Sequence, residues 1–235
     1  MKFTSISSSS KGNAYLLESD GIPPLLIEAG IPIRKLREAL SFGLSGLAGC
    51  LVSHSHGDHV KAVPDLLKAG VDCFMSTGTA EEMNIQDHYR VVKMATTHML
   101  EVAGWNIACF DLKHDTAEPF GFLIGHKGES LLFVPDTAFI KNKFSGVTIA
   151  AVECNHVGDI LAGRNERAGS CSKRGRRVRR NHMSLETLIK MLKANDLNKC
   201  REIHLLHLSD ANSDEARMIR EVQEATGIPT YAAGE

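Results

Sequence analysis

The sequence predicts an α/β fold in which helices cover the faces of β-sheets. Two observations support this prediction. Segments with the alternation typical of strands and segments with the helical spacing of about 3.6 residues follow one another in mixed order. The chain has 235 residues, of which 43% are hydrophobic, enough for one large domain with a substantial core. We therefore expect a single domain over residues 1–235.

The N-terminal region predicts short strands joined by polar turns. Residues 2–6 and 13–19 alternate enough to be strands, and the serine-rich segment between them is interpreted as a loop near the active face. Gly12 and Asn13, at the end of this segment, suit a tight turn. The next elements are a strand at 25–28 and an amphipathic helix at 33–40.

Two helices in the middle region have local start signals. Pro64 falls within the first turns of a helix predicted over 60–69, where proline is tolerated. Thr79 followed by Glu82 fits a capping box for a helix over 79–86. Strands are predicted at 48–53, 71–75, 91–94, 99–103, 105–112, 119–125, 130–134 and 147–152.

The C-terminal region predicts two helices and two strands. Ser184 is expected to cap a helix with apolar residues at helical spacing. Asn212 and Glu215 are start signals for a last helix that ends near residue 225. The strands are predicted at 202–207, where His204 is interpreted as structural, and at 230–232.

The most informative stretch is 51–59, Leu-Val-Ser-His-Ser-His-Gly-Asp-His, where an apolar run ends in metal-type ligands. In an extended segment His54 and His56 point the same way and can converge on one ion. A turn at the following glycine and a helix start would send Asp58 and His59 toward a second ion. The alternative is a surface loop rich in histidine, but four such ligands in this order rarely arise by chance.

This H-x-H-x-D-H motif resembles the signature of the metallo-β-lactamase superfamily, and the resemblance covers nearly the whole chain. It implies a four-layer αββα sandwich of two mixed sheets flanked by helices. It also implies a ligand set in which His54, His56 and His114 hold one metal, Asp58, His59 and His207 hold the other, and Asp136 bridges them.

Three further stretches resemble a small bacterial and phage subgroup. They are 7–15 (Ser-Ser-Ser-Ser-Lys-Gly-Asn-Ala-Tyr), 115–122 (Asp-Thr-Ala-Glu-Pro-Phe-Gly-Phe) and 207–209 (His-Leu-Ser). The subgroup is similar to ribonuclease Z-type phosphodiesterases and is associated with 5′-3′ exonuclease activity. One departure is Glu28, which stands where the family usually has an Asp that braces the metal loop.

Two divalent ions about 3.5–4 Å apart lower the pKa of a bridging water and clamp the oxygens of a displacement. Hydroxide would be the nucleophile, so no Ser or Cys nucleophile is needed. The ligands suit Zn or Mn, with Fe as a further option. Asp58 is expected to orient the water, and His182 to donate a proton to the leaving group, since the subgroup has a His in a similar place. The alternative for His182 is a surface-loop histidine.

Eight Lys or Arg residues fall between 164 and 180, opposed only by Glu166, in a chain whose net charge is −1. Clustered Arg suits phosphate contacts and predicts a nucleic-acid partner, although a solvated loop is a common alternative. The block is interpreted as a basic loop at about 159–181. Aromatic residues make up 6% of the chain and do not interleave with the block, so base stacking is not expected. The predicted substrate-binding residues are Asn155, His156, Arg174, Arg176, Arg177, Arg179 and Arg180.

These features favour a metal-dependent phosphodiester hydrolase that acts on nucleic acid, with nuclease or exonuclease character. One alternative is a cyclic nucleotide phosphodiesterase. Another is a lactonase, thioesterase or glyoxalase-type metallohydrolase, which leaves the basic block unexplained. A non-catalytic nucleic-acid-binding module with a vestigial site belongs to a different class, and the intact ligand set argues against it.

Six cysteines occur without a C-x-x-C pair, and several lie in apolar strand-like runs. They are interpreted as buried small hydrophobes in a reducing compartment. The N-terminus lacks the apolar core of a signal peptide, and no apolar stretch approaches the length of a membrane span. We therefore expect a cytoplasmic protein, in a bacterium or a phage-infected cell. The sequence leaves the oligomeric state open.

Overall fold

The computed structural model describes residues 1–41, 43–167 and 173–234, but not the side chains of residues 165–167 and 173–174. The chain forms two mixed β-sheets, of six and seven strands, flanked by helices. By its internal contacts the chain divides into two compact units. The first comprises 1–111, 116–130 and Gly234, and the second comprises 112–115 and 131–233. The single domain over residues 1–235 stays a prediction.

The first unit contains the six-stranded sheet, in the order β1-β2-β3-β4-β5-β6, and the antiparallel meander β7-β8-β9. Its first three strands pair antiparallel, and the pairs from β3 to β6 are parallel. In chain order its elements are β1 (Lys2–Ser9), β2 (Gly12–Glu18), β3 (Leu25–Ile27), α1 (Ile33–Ala39), a 3₁₀ turn (Leu44–Gly46), β4 (Gly49–Leu51), α2 (Gly57–Val60), α3 (Val63–Lys68), β5 (Cys73–Ser76), α4 (Thr77–Glu82), β6 (Val91–Met94), β7 (Leu100–Val102), β8 (Trp105–Asp111) and β9 (Phe120–His126).

The core of this unit lies between the six-stranded sheet and its helices. The apolar strand residues Leu26, Cys50 and Cys73 are fully buried and belong to one cluster with Leu36 of α1 and Leu66 of α3. Adjacent parallel strands end at the same edge of a sheet, so the residues after β3, β4 and β5 are brought close together. This edge carries the predicted metal loop.

The serine-rich segment was predicted as a loop, and this prediction was wrong. Ser7, Ser8 and Ser9 belong to β1 and pair with β2, and the turn lies before Gly12. Two of the hydroxyls are buried and bonded, Ser7 Oγ to the Gly12 carbonyl and Ser8 Oγ to the hydroxyl of Tyr15. Serine can therefore line this strand without leaving a buried polar group unsatisfied.

Two helix starts also differ from the predictions. Ser76 caps α4 by accepting the backbone N–H of Thr79, so the cap lies three residues before the predicted position. Asp214 caps the last helix, α8 (Glu215–Thr226), by accepting the backbone N–H of Arg217, in place of the predicted start at Asn212. The cap predicted at Ser184 is confirmed. Several polar residues stood near each start, and only the backbone geometry selects the one that caps.

The second unit contains the parallel strands β10, β11, β12 and β13, which pair in chain order. The side chains of β10 from Leu131 to Val134 and of β11 from Ile149 to Val152 are fully buried, as expected for parallel strands covered on both faces. Its elements are β10 (Glu129–Val134), β11 (Ile149–Glu153), α5 (Gly158–Arg167), α6 (Lys173–Asn181), α7 (Leu185–Lys193), β12 (Glu202–Leu206), α8 (Glu215–Thr226) and β13 (Thr230–Ala232).

The basic stretch at about 159–181 was predicted as a loop, but its described part is mostly helical. Helix α5 packs Leu161, which is 2% exposed, and α6 carries the half-buried Val178 among its arginines. Arginine and lysine have high helix propensity, so a charge run does not exclude a helix when one apolar residue anchors it. Residues 168–172 lie outside the described part of the chain.

Within the described residues, no helix has both the length and the apolar content needed to cross a lipid bilayer. Five cysteines are described and all are free thiols. Four of them are buried, which confirms the interpretation as buried small hydrophobes for these four, whereas Cys200 is partly exposed. Burial raises the pKa of the Cys109 thiol to about 11. The sixth, Cys171, lies outside the described residues, and the cytoplasmic location stays a prediction.

Candidate metal centre

The first unit gathers three imidazole rings immediately after β4. The ring centroids of His54 and His56 lie 4.9 Å apart, and those of His54 and His59 lie 4.0 Å apart. The predicted turn is present, because α2 begins at Gly57 and turns Asp58 and His59 into a helix. His54 and His59 are almost fully buried. The local sequence therefore concentrates metal-type donors in a small volume.

His54 is oriented by its neighbour in the chain. Its Nδ1 forms a 2.8 Å hydrogen bond with Ser53 Oγ, and Ser53 is itself fully buried. With Nδ1 engaged in this way, Nε2 is the nitrogen that can bind a metal. No role was predicted for Ser53 from the sequence, although its position directly before the first histidine was a usable signal.

Glu28 braces the metal loop from the end of β3. Its backbone has a φ of 64°, and its N–H donates to the Leu51 carbonyl of the neighbouring strand. The buried carboxylate accepts the Ser53 N–H at 3.3 Å and lies 3.4 Å from His59 Nδ1. The longer side chain, noted as a departure from the family's Asp, thus reaches two parts of the loop at once.

Asn13 and Gly30 hold the same loop from the other side. The Asn13 side-chain amide donates to the Asp58 carbonyl at 3.2 Å and lies 3.2 Å from His59 Nε2. Gly30 packs so closely that an added Cβ would stand 1.6 Å from the Asp58 carbonyl oxygen. No side chain fits at this position without displacing the backbone of the loop.

Glu82, at the end of α4, links the metal loop to a later segment. One of its carboxylate oxygens accepts the hydroxyl of Ser55, which lies between His54 and His56. The other oxygen accepts the Ala117 backbone N–H at 3.1 Å. Glu82 was predicted only as part of a capping box. Its observed contacts instead restrain the loop between the two histidines.

The second unit gathers a separate set of donors, three of them at the carboxyl ends of β10, β11 and β12 and the fourth, His182, directly after α6. Asp136, Glu153, His182 and His207 each offer a donor atom, and these atoms lie within 4.8 Å of one another. The register explains the grouping, since parallel strands bring their ends to one edge of the sheet. His207 follows β12 directly, in the left-handed conformation with a φ of 54°.

Glu153 is a central residue of this cluster, and no role was predicted for it from the sequence. It is fully buried at the end of β11, where its Oε1 accepts a 2.6 Å hydrogen bond from His182 Nδ1. Its Oε2 accepts the backbone N–H groups of Thr137 at 2.8 Å and Met183 at 3.0 Å. The signal was a single carboxylate in an otherwise apolar strand, because such a group is rarely buried without a partner.

The charges in this cluster shift one another's pKa values. Burial alone would lower the pKa of His207, but Asp136, whose Oδ1 is 2.8 Å from His207 Nδ1, and Glu153 outweigh it and raise the pKa to about 10. Burial also opposes the charged form of His182, yet the same two carboxylates raise its pKa. The pKa of Glu153 is lowered, because His182 and His207 overcome the effect of burial.

His114 lies in the same unit and is oriented by α6. Its Nδ1 donates a 3.0 Å hydrogen bond to the Asn181 carbonyl, and its Nε2 lies 3.8 Å from Asp136 Oδ2. The ring of His114 also contacts that of His182, with centroids 5.2 Å apart. The second unit thus brings together the predicted residues His114, Asp136, His182 and His207.

Asn155 and His156 are buried just beyond β11. The Asn155 amide donates to the His207 carbonyl at 3.0 Å, and His156 forms an isolated bridge with Ser184. Burial lowers the pKa of His156. These contacts place both residues in the framework of the second donor set, and their contact with a substrate stays a prediction.

Three of the predicted arginines line one cavity of about 390 Å³ in the second unit. Arg179 is exposed and is not among the residues that line it, and the side chain of Arg174 lies outside the described residues. Within the described part of the chain, the cavity is lined by Asp115, Arg176, Arg177, Arg180 and Asn181.

Imidazole and carboxylate donors are the ligands of Zn²⁺ and similar divalent ions. In the second unit two carboxylates are buried close together, an arrangement that is costly unless positive charge compensates it. The donor sets of both units therefore fit divalent cations.

A family model described as the beta-lactamase superfamily domain matches residues 25–208, a span that contains every one of these donors. The chain belongs to the β-lactamase superfamily. This confirms the predicted resemblance and, with it, the metallo-β-lactamase fold of two mixed sheets flanked by helices.

A bacterial relative resembles this chain over much of its length. Exodeoxyribonuclease YycJ from Bacillus anthracis is 26% identical over a 175-residue alignment, and the match covers 68% of this chain and 65% of the relative. The match thus spans just under two thirds of the curated relative's length.

Two solved structures share the superfamily fold. The metallo-beta-lactamase fold protein YhfI from Bacillus subtilis has a TM-score of 0.76 at 15% identity, covering 99% of this chain and 95% of the other. Zn²⁺-bound PqqB from Methylobacterium extorquens has a TM-score of 0.73 at 18% identity, covering 100% and 99%.

Proposed function

We propose that this superfamily member is a metal-dependent phosphodiester hydrolase that acts on nucleic acid, with nuclease or exonuclease character. The observation that carries the proposal lies in the second unit, where the arginine-lined cavity shares Asn181 with the hydrogen bond that orients His114. A phosphate-binding surface thus adjoins a metal-type ligand. The exodeoxyribonuclease activity named for the B. anthracis relative supports the same substrate class.

The proposed cofactors are two divalent ions, Zn or Mn with Fe as a further option. When bound, such ions lower the pKa of water and clamp the oxygens of an in-line displacement at phosphorus. The geometry within each unit supports this donor set, since every member lies in a cluster of imidazoles and carboxylates. The proposed ligands are His54, His56, Asp58, His59, His114, Asp136 and His207.

Asp58 and His182 are the proposed catalytic side chains. The Asp58 carboxylate is partly exposed at the start of α2, where it can accept a proton from the attacking water and orient it. His182 donates its Nδ1–H to Glu153, so Nε2 is the nitrogen that can deliver a proton to the leaving oxygen. Glu153 acts through His182 and is a positioning residue.

The proposed substrate contacts are made by guanidinium groups. Arg176, Arg177 and Arg180 present planar sets of N–H donors that match phosphate oxygens in a bidentate manner. Such contacts carry little sequence information, so we expect weak dependence on base sequence and strong dependence on salt. Contacts from Arg174 and Arg179 remain part of the proposal.

The test is a substrate panel on protein reconstituted with Zn²⁺ or Mn²⁺. The panel contains single- and double-stranded DNA, RNA and bis(p-nitrophenyl) phosphate, and the control is the His54→Ala/His56→Ala double variant. We expect hydrolysis of a nucleic acid by the wild-type protein and none by the control. If the reconstituted protein leaves every phosphodiester in the panel intact, the proposal is wrong.

A cyclic nucleotide is the second candidate substrate, because the cavity of about 390 Å³ is of the size that holds a small molecule. Cyclic mononucleotides assayed beside oligonucleotides separate the two candidates. A lactonase or thioesterase would leave the arginine cavity without a role. A non-catalytic binding module would bind nucleic acid but hydrolyse nothing in the panel.

A further inference from the structure

The arginine-lined cavity has a defined geometry of its own. Arg176 and Arg180 are one helical turn apart on α6, so their side chains lie on the same face of the helix. Arg177 is three residues before Arg180 and reaches the same cavity. Asp115 completes the wall and accepts a 3.0 Å hydrogen bond from Arg177 Nε.

The charge of the lining selects among phosphate groups. Among the described residues that line the cavity there are three guanidinium groups and one carboxylate, which together carry a formal charge of +2. An internal phosphodiester carries a single negative charge, whereas a terminal phosphomonoester carries about −1.5 to −2 near neutral pH. The monoester therefore matches the charge of the lining better than the diester does.

The lining is also pre-arranged and accessible. Arg177 is held by Asp115 at its Nε, which leaves its terminal NH₂ groups to face a ligand. Its side chain is 64% exposed and that of Asp115 is 35% exposed, so a ligand can enter without unpacking the core. A group oriented before binding loses less conformational entropy when the ligand arrives.

The cavity adjoins the second donor set. Asn181 lines the cavity and its carbonyl accepts the Nδ1–H of His114, while Asp115 directly follows His114 in the chain. The volume of about 390 Å³ is at the lower end of small-molecule pockets and suits one terminal residue of a strand.

We propose that this cavity is a subsite for a terminal phosphate, which seats the phosphomonoester end of a nucleic acid next to His114. The inference rests on the proposed function and deepens it, because an enzyme that binds the terminal phosphate of a strand cleaves from that end of the strand. A continuous or hydroxyl-terminated strand offers the cavity only the more weakly bound diester.

The test is calorimetric titration of the Mn²⁺-loaded protein with thymidine 5′-monophosphate, thymidine 3′-monophosphate and the methyl ester of each. The esters keep the base and sugar but carry one negative charge. We expect at least one monophosphate to bind about tenfold or more tightly than its ester, a factor typical of an added charged contact. If the 5′-monophosphate shows this preference, the cavity recognises a 5′ end, and if the 3′-monophosphate shows it, the cavity recognises a 3′ end.

The variants assign the preference to the cavity. Arg176→Gln/Arg180→Gln should reduce it to about twofold or less, and the single Arg176→Gln should give an intermediate value. The matched control is Arg220→Gln on α8, an exposed arginine outside the cavity, which should keep the full preference. Wild-type protein without any preference, or a preference that survives the double variant, would overturn the subsite.

This binding test is independent of turnover. If the protein prefers the monophosphate through these arginines but hydrolyses no phosphodiester, the subsite is supported and the proposed function is wrong. If the protein hydrolyses nucleic acid without any preference for a phosphorylated end, the proposed function is supported and the subsite is wrong. Circular dichroism of each variant confirms that its fold is intact.

Discussion

Glu153 and His182 form a buried pair in which the carboxylate Oε1 accepts a 2.6 Å hydrogen bond from the imidazole Nδ1. The other oxygen of Glu153 accepts the backbone N–H of Met183, the residue that follows His182. One carboxylate therefore fixes both the ring and the adjacent main chain of the proposed proton donor. This arrangement directs Nε2 away from Glu153, as delivery of a proton to a leaving group requires.

Glu153→Gln is expected to lower kcat on oligonucleotides by about 10- to 100-fold with little change in KM, because the amide no longer supports a protonated His182. His182→Ala should have a similar effect, and the double variant should lose little more, since the two residues act as a unit. Steady-state kinetics on a labelled oligonucleotide measure these values.

Bis(p-nitrophenyl) phosphate provides the control for this prediction. Its p-nitrophenolate leaving group needs no proton donor, so Glu153→Gln should retain most of its activity on this ester. An equal loss on both substrates would show that Glu153 maintains the structure of the site without directing a proton, and would contradict the assigned role.

Glu82→Ala is expected to weaken metal binding by about tenfold, the usual effect of removing a group that orders metal ligands. The substitution releases Ser55, between His54 and His56, and the backbone N–H of Ala117. Competition with a chromophoric chelator measures the affinity. The neighbouring Glu81→Ala, also exposed on α4, is the matched control and should bind metal as the wild type does. Equal affinities in the two variants would exclude the proposed restraint.

Gly30→Ala is expected to destabilise the protein by about 2 kcal/mol or more, because its Cβ would stand 1.6 Å from the Asp58 carbonyl oxygen and 2.8 Å from Asn13 N. Gly163→Ala in α5 is the control, since nothing lies within 4 Å of the added Cβ. That change should be neutral or stabilise by about 0.5–1 kcal/mol through helix propensity. Denaturant unfolding measures both, and a Gly30→Ala protein as stable as the wild type would contradict the packing.

His204 should make stability depend on pH. Its pKa is lowered, first by burial, which outweighs the opposing charge of Glu202. The folded state therefore takes up this proton less readily than the unfolded state, whose pKa is about 6.5. His204 therefore contributes fully to the free energy of unfolding above the unfolded-state pKa of about 6.5. This contribution is lost as the pH falls through the pKa of His204 in the folded state.

His204→Gln isolates this contribution. Between about pH 7.5 and pH 5, the wild-type protein should lose more unfolding free energy than the variant. Urea unfolding at the two pH values measures the difference. An identical loss in both proteins would show that His204 does not titrate in this way.

The clustering of imidazole and carboxylate groups after β4 could be predicted from sequence because these residues are adjacent in the chain, and their role as metal ligands stays a proposal. His54, His56, Asp58 and His59 lie within six residues after an apolar run, and the turn into α2 follows from the glycine between them. Strand positions could also be predicted where apolar runs were bounded by polar turns. The bounds of β6 (Val91–Met94) and β13 (Thr230–Ala232) match the predictions.

The partners of most supporting residues could not be predicted, because their contacts join distant segments of the chain. Glu153 and His182 are 29 positions apart, and Asn13 and Asp58 are 45 positions apart. The serine run of β1 was read as a loop because serine has little apolar surface, yet cross-strand hydrogen bonds hold it in the sheet. The helical state of the basic stretch was missed because α6 has only one apolar anchor, Val178.

The number of divalent ions bound per chain, measured by native mass spectrometry after reconstitution with Zn²⁺ or Mn²⁺, tests the proposed metal centre. We expect two ions in the wild-type protein and fewer in His56→Ala, from the first unit, and in His207→Ala, from the second. A wild-type protein that binds no ion, or variants that each retain both ions, would contradict it.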